Sequence, residues 1–275
     1  MARRLTLIAG SGSLVPLVAE AAKRHGDTLQ VLDLVGRGDV SGDLVLPASV
    51  SDPAAIIQAL RAFRSTHAVL AGGVHLSDSD REAMARAFGP IGKLGRSLGD
   101  VGLAGAMLLY SRFIGVTLVG VQEIAADLQA AEGIIAGPVV TAAVRDAAAF
   151  ALQAARTIGR IDLGQSVVSS GRRVIAAEDA AGTDALIERV GVLRSRGLVG
   201  DGAMPLILAK ARKPRQPSFV DLPAIGPGTI ANAAAVGITV VAVEAKRSLL
   251  LDRPALIAAA AEKGVSVIGL TIRNG

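Results

Sequence analysis

Short apolar runs alternate along this chain with segments whose apolar residues recur every three or four positions. Leu5 to Ala9 is a run of strand length, and Leu14, Leu17, Val18 and Ala21 then recur at helical spacing as far as Arg24. Leu29 to Leu34 reads as a second strand, Ala54 to Phe63 as an amphipathic helix, and Ala68 to Ala71 as a third strand. Asp80 to Gly89 and Val101 to Phe113 read as helices, Val116 to Val121 as a strand and Ile124 to Ala130 as a helix. Strands alternating with helices at this spacing predict an α/β fold built on a parallel, doubly wound sheet.

The pattern loosens between Gly133 and Val140, which places a domain boundary at 135/136. The expected domains are 1–135, Rossmann-like, and 136–275, a distinct α/β domain carrying the catalytic residues. In the second, Thr141 to Ile158 is one long alanine-rich helix with Thr141 as its cap. Val167 to Ser169 and Arg173 to Ala177 flank a Ser170-Gly171 turn and read as a hairpin. Helices follow at Ala185 to Leu193, Thr229 to Ala235 and Pro254 to Lys263, with strands at Leu206 to Ala209, Thr239 to Val243, Leu249 to Leu251 and Val265 to Leu270.

Composition narrows the function. With 275 residues, 51% of them hydrophobic, two cores can be filled. Cysteine is absent, which excludes a disulfide framework, a thiol nucleophile and cysteine-ligated metals. The net charge of +5 comes with one Tyr, five Phe and no Trp, too few rings for a base-stacking platform, so nucleic acid is not the expected partner. A phosphorylated small molecule or an anionic membrane surface suits the modest cationic excess. The one long uncharged span, Leu222 to Val243, is broken by Pro223, Gly226, Pro227, Gly228 and Gly237, against a membrane helix. The expectation is a soluble, cytoplasmic chain able to touch a membrane peripherally.

Candidate chemistry sits in four places. Gly10-Ser11-Gly12-Ser13 links the first strand to the first helix, and backbone N–H groups at such a turn can receive an anion. It lacks the third glycine of a dinucleotide fingerprint, although an acid, Asp33, lies by the second strand. Gly72, Gly73 and His75 fall at the carboxyl edge of the third strand, where open α/β sheets bind ligands. Gly99-Asp100 opens a helix, as Gly182-Thr183-Asp184 does after Glu178-Asp179. The densest candidate is Lys210 to Thr229, where Lys210, Arg212, Lys213 and Arg215 precede the isolated carboxylate Asp221. Cations ahead of a lone acid suit phosphate-ester chemistry: the cations hold anionic oxygens and the acid holds a metal ion or a water.

Several phrases in order, IAGSGSLVPLVAEAAKRHG, GRIDLGQSVV, AAGTDAL, KARKP with VDLPAIGP, and VEAKRSLLLDR, together resemble the UDP-2,3-diacylglucosamine pyrophosphatases of the type unrelated to calcineurin-like phosphoesterases. The resemblance implies a lipid A pathway hydrolase that cleaves the diphosphate of UDP-2,3-diacylglucosamine to UMP and 2,3-diacylglucosamine 1-phosphate, with water attacking the phosphorus nearer uridine. It further implies a divalent metal, usually magnesium, a lipid-linked UDP-sugar held between two domains, a homodimer, and peripheral contact with the inner membrane. By position, the key acid falls on Asp221 and the motif lysines on Lys213 and Lys210. Gln165, Thr183 and Asp184 fall in substrate-binding motifs, as do Gly10, Ser11, Gly12, Ser13, Gly73, Gly99 and Asp100. Asp221, Asp184 and Glu178 are the expected metal ligands, and Asp221 and Lys213 the expected catalytic residues.

The chain departs from the family pattern where charges are expected. Ala181 stands for an acid, Phe219 for an arginine, Val101 for a second acid and Leu76 for an arginine. These losses keep open a homologue that binds a nucleotide-sugar or lipid phosphate with altered specificity or without turnover. A nicotinamide-dependent oxidoreductase is a third reading, weakened by the incomplete glycine fingerprint.

Overall fold

The computed structural model describes residues 3–74, 76–96, 99–214, 217, 219 and 222–272, with the backbone only at 94–96, 99–101 and 103. The chain divides into two compact units, 1–127 with 216–221 and 128–215 with 222–275. The first contains β1 (Arg4–Ala9), α1 (Leu14–Arg24), β2 (Thr28–Asp33), β3 (Leu44–Pro47), α2 (Pro53–Ala62), β4 (His67–Ala71), α3 (Asp78–Ala87), α4 (Gly89–Arg96), α5 (Gly99–Phe113), β5 (Thr117–Val119) and α6 (Val121–Ile124). Its five strands run parallel in the order β3-β2-β1-β4-β5. The chain therefore works outward from β1 in one direction and then, from β4, in the other. That reversal places the turn after β1 at the switch point of the sheet.

Local chemistry accounts for these elements. Leu5, Leu7, Leu29, Val31 and Val69 are fully buried on one face and Leu32 and Ala68 on the other, so the central strands are covered on both sides. The Asp52 carboxylate accepts from the Ala55 N–H ahead of Pro53, and Ser77 and Asp80 form a capping box that starts α3. Two elements, β3 and α4, were not expected. β3 is four residues long, with Leu44 and Val45 largely exposed, so pairing with β2 rather than an apolar run defines it. The helix expected over Ile124 to Ala130 is instead α6, ending at Ile124, followed by a single 3₁₀ turn at Ala126–Leu128.

The second unit contains β6 (Gly133–Ala136), α7 (Ala142–Arg160), β7 (Ser166–Ser170), β8 (Arg173–Ala177), α8 (Gly182–Ser195), β9 (Leu206–Lys210), β10 (Ala224–Ile225), α9 (Pro227–Ala235), β11 (Ile238–Glu244), β12 (Leu249–Leu250), α10 (Arg253–Lys263) and β13 (Ser266–Leu270). Its mixed sheet has the order β6-β13-β11-β9-β7-β8. β9, β11 and β13 are parallel; β6, β7 and β8 join antiparallel. β6 pairs with β13, so residues 133–136 belong to this sheet, and the division falls ahead of the 135/136 boundary read from the sequence.

The strands of this sheet sort their side chains by parity. Val167, Ile207, Ala209, Val240, Ala242 and Ile268 face α7, whereas Val168, Leu208, Val241, Val243 and Val267 pack in the core that holds α8, α9 and α10. On α7 the Thr141 hydroxyl accepts from the Val144 N–H, the expected cap. Its Ala147, Ala148, Ala151 and Ala155 are buried against the sheet. The small side chains let the helix lie close to the strands.

The carboxyl ends of β8, β9, β11 and β13 meet at one edge, with Lys210 opposite both Val243 and Ser166, and Glu244 opposite Leu270. Close packing of α7 makes a testable demand. Ala151→Leu should destabilise the protein by about 1–3 kcal/mol through overpacking. Denaturant unfolding checks this, and an unchanged midpoint contradicts the packing.

Candidate active site

In the first unit the glycine turn is fastened from below. The Gly10 N–H donates to the Ala71 carbonyl, and Ser11 and Gly73 exchange two backbone hydrogen bonds of 2.9 Å. The Ser11 hydroxyl adds a bond to the Gly73 carbonyl. Gly72, at φ +86°, passes so near the Ser11 carbonyl that a Cβ would overlap it. The glycine turn that opens at Gly10 and Ser11 is thus joined to Gly73. Ser13 caps α1 without a side-chain hydrogen bond.

Asp33 ends β2 and accepts the N–H groups of Val35, Gly36 and Arg37. Its carboxylate is committed to its own loop, not set out for a ribose. Arg37, which sequence reasoning missed, donates from Nη1 to the Gly10 carbonyl at 2.8 Å and pairs with Asp39. It thereby brings a cation to the glycine turn. Gly99 and Asp100 begin α5, whose backbone alone is described there, and His75 lies outside the described residues.

In the second unit the predicted residues converge on Lys210, the last residue of β9. Its side chain is almost wholly buried, and Nζ donates to Thr183 Oγ1 at 3.0 Å and to the Ala224 carbonyl at 3.2 Å. Thr183 Oγ1 in turn donates to Glu178 Oε1 at 3.1 Å and lies 3.4 Å from the Ser166 hydroxyl. The Gln165 backbone N–H donates to Glu178 Oε2 at 3.0 Å. Gly164 lets this happen, since a Cβ there would meet the Glu178 carbonyl at 2.5 Å.

Burial pushes the Lys210 ammonium below its ordinary pKa, while Glu178 and Asp184 act to hold the proton on. Asp184 is exposed in the first turn of α8, and its Oδ1 accepts from Asn232 at 3.3 Å. Lys210 therefore ties the α8 start, through Thr183, to the backbone three residues beyond the Asp221 position.

Lys213 sits elsewhere than beside Lys210's partners: its Nζ pairs with Asp162 Oδ1 at 2.6 Å, where the chain leaves α7. That ion pair fixes the loop that follows β9. Asp221 and Arg215 lie outside the described residues.

The carboxylates can be weighed as metal ligands. Each Glu178 oxygen accepts one hydrogen bond, from the Gln165 backbone or the Thr183 hydroxyl, and the carboxylate lies near the buried Lys210. Asp184, exposed and held by one hydrogen bond, does fit a hard cation, which takes one or two carboxylates and completes its shell with waters and substrate oxygens. Among the described residues no three of His, Asp or Glu converge.

Both units are α/β, and in the second a buried cation at the sheet edge is tied to two motif segments and flanked by an exposed carboxylate. Two family models match the chain, the LpxI N-terminal domain over residues 4–128 and the LpxI C-terminal domain over 131–268. The UDP-2,3-diacylglucosamine pyrophosphatase LpxI of Caulobacter vibrioides is 34% identical, with 98% of each chain covered. This chain belongs to the LpxI family. Among solved structures, the Bordetella bronchiseptica enzyme WbmG in complex with NAD and UDP shares 20% identity over 42% of this chain and 36% of its own, at a TM-score of 0.29. Likeness at that level carries no argument.

Lys210 has a signature in solution. Because its pKa in the folded chain lies below the ordinary 10.5, the unfolded chain binds a proton that the folded one has released between those two values. Stability therefore gains from this group as pH rises through that window. Denaturant titrations at increasing alkaline pH should show a steeper gain for wild type than for Lys210→Met, and parallel curves would contradict the buried ammonium.

Proposed function

We propose that this chain hydrolyses the diphosphate of UDP-2,3-diacylglucosamine to UMP and 2,3-diacylglucosamine 1-phosphate, a step of lipid A biosynthesis. The observation that carries the reading is the match to both LpxI domains and to a full-length pyrophosphatase relative. The second unit supports it locally, since Lys210 joins the segment bearing Thr183 and Asp184 to the one following Asp221.

On this reading, Asp221 and Asp184 would hold a divalent cation, magnesium by chemical preference for oxygen ligands and water. When bound, such an ion polarises a phosphoryl oxygen and lowers the pKa of a coordinated water. The chain's own contribution is positional. Lys210 fixes the two segments at the sheet edge, Glu178 and Gln165 fix Thr183, and Lys213 anchors the loop to Asp162. Water attacks the phosphorus nearer uridine, and the acylated sugar phosphate leaves.

No helix among the described residues is long and apolar enough to cross a membrane. We propose that a homodimer meets its lipid substrate in the cytoplasm by peripheral contact with the inner membrane.

Asp221→Ala should lower UMP release at least about a hundredfold, the scale of removing one charge-stabilising group, with the unfolding midpoint unchanged. Near-normal turnover sinks the assignment. Wild-type activity should vanish with a chelator and return with added magnesium; turnover indifferent to the chelator removes the metal from the account.

A further inference from the structure

A second charged cluster lies on the same edge of the second sheet and has no part in the site above. Glu244, the last residue of β11, is buried. Its Oε2 accepts from the Arg212 backbone N–H at 3.1 Å, and its Oε1 lies 3.9 Å from Arg156 Nη1 and 3.7 Å from Arg247 Nε. Two guanidinium groups thus reach one carboxylate, Arg156 from the end of α7 and Arg247 from the turn after β11, while Arg212, from beyond β9, gives it a backbone N–H and keeps its own guanidinium within electrostatic range of Glu244 and Arg247. Burial, and after it the nearby charge of Arg247, push the Arg212 guanidinium below its ordinary pKa, while Glu244 acts the other way.

The turn that carries Arg247 is held rigidly. The Ala245 N–H donates to Leu270, the Lys246 N–H to Ala130, and the Ala130 N–H to Ser248. Lys246 adopts φ +60°, which keeps the turn tight. Arg247 is half-exposed and meets Glu244 through Nε. A guanidinium has further N–H donors in a planar fork, matched to two oxygens of a phosphate. A buried carboxylate that gathers like charges, with one of them reaching solvent, is an arrangement that a bound oxyanion relieves.

We propose that Arg247, backed by Arg156 and Arg212 and oriented by Glu244, grips a phosphate oxyanion, namely the diphosphate of the nucleotide substrate. This rests on the hydrolase reading for the identity of the ligand but not for the anion site itself. Arg247 contacts the substrate's phosphoryl oxygens; Glu244 is a positioning residue that acts through the arginines.

The test is calorimetric titration of the full chain with UMP and with inorganic pyrophosphate, alongside kinetics on UDP-2,3-diacylglucosamine. Arg247→Gln should weaken binding of at least one of the two anions about tenfold or more and raise KM more than it lowers kcat. Arg247→Lys, which keeps the charge and loses the fork, should recover part of the affinity. Arg160→Gln, a cation elsewhere on α7, should change nothing. Undiminished affinity for both anions in Arg247→Gln, or no anion binding by wild type, overturns the proposal. A wild type that binds the anions but releases no UMP defeats the hydrolase reading alone. Wild-type hydrolysis left untouched by Arg247→Gln defeats the inference alone.

Discussion

A lysine ammonium removed from water needs acceptors, and Lys210 finds them in one hydroxyl and one carbonyl from different parts of the chain. That requirement organises the second unit. The hydroxyl belongs to Thr183 at the start of α8, and the carbonyl to Ala224 in β10. Neither segment neighbours β9 in sequence, yet both must arrive at its end for the charge to be tolerated. Glu178 completes the arrangement by accepting a hydrogen bond from the Thr183 hydroxyl and lying close enough to favour the charged lysine. Losing one member would leave the others buried and unpaired, a cost of about 1–3 kcal/mol each.

The same edge of the sheet holds charge in a second form. Around Lys210 one cation is balanced by Glu178 and Asp184; around Glu244 one carboxylate gathers two guanidinium groups and the Arg212 backbone N–H. The two arrangements lie on adjacent parallel strands, with Lys210 opposite Val243 and Glu244 next along. Lys210 turns towards α8 and Glu244 towards α7, so the internally satisfied charges and the guanidinium donors reaching solvent lie on opposite sides of the sheet. Rigid charges in place before the substrate arrives are what stabilises developing negative charge without reorganisation.

Much of this was legible in the sequence, for reasons that differ by element. The central strands β1, β9 and β11 are mostly apolar because most of their residues are buried, and α7 announces itself through periodicity and Thr141. The short edge strands β3, β6 and β10 carry no such signal, since pairing with neighbours defines them. Motif spacing pointed to Thr183 and Lys210, but only coordinates show that Lys210 spends its hydrogen bonds on the protein. They likewise show that Lys213 pairs with Asp162 and that Glu178 is committed to Gln165 and Thr183. Arg156, Glu244 and Arg247 are far apart in the chain, and an acid at a strand end followed by an arginine three residues on was the one hint available.

The central claim is that this edge directs a water molecule to one phosphorus of a lipid-linked diphosphate. Hydrolysis of UDP-2,3-diacylglucosamine in water labelled with heavy oxygen, followed by mass spectrometry of both products, tests it most directly. The account predicts the label in UMP and none in the acylated sugar phosphate. Label in the sugar phosphate, or no products at all, would contradict it.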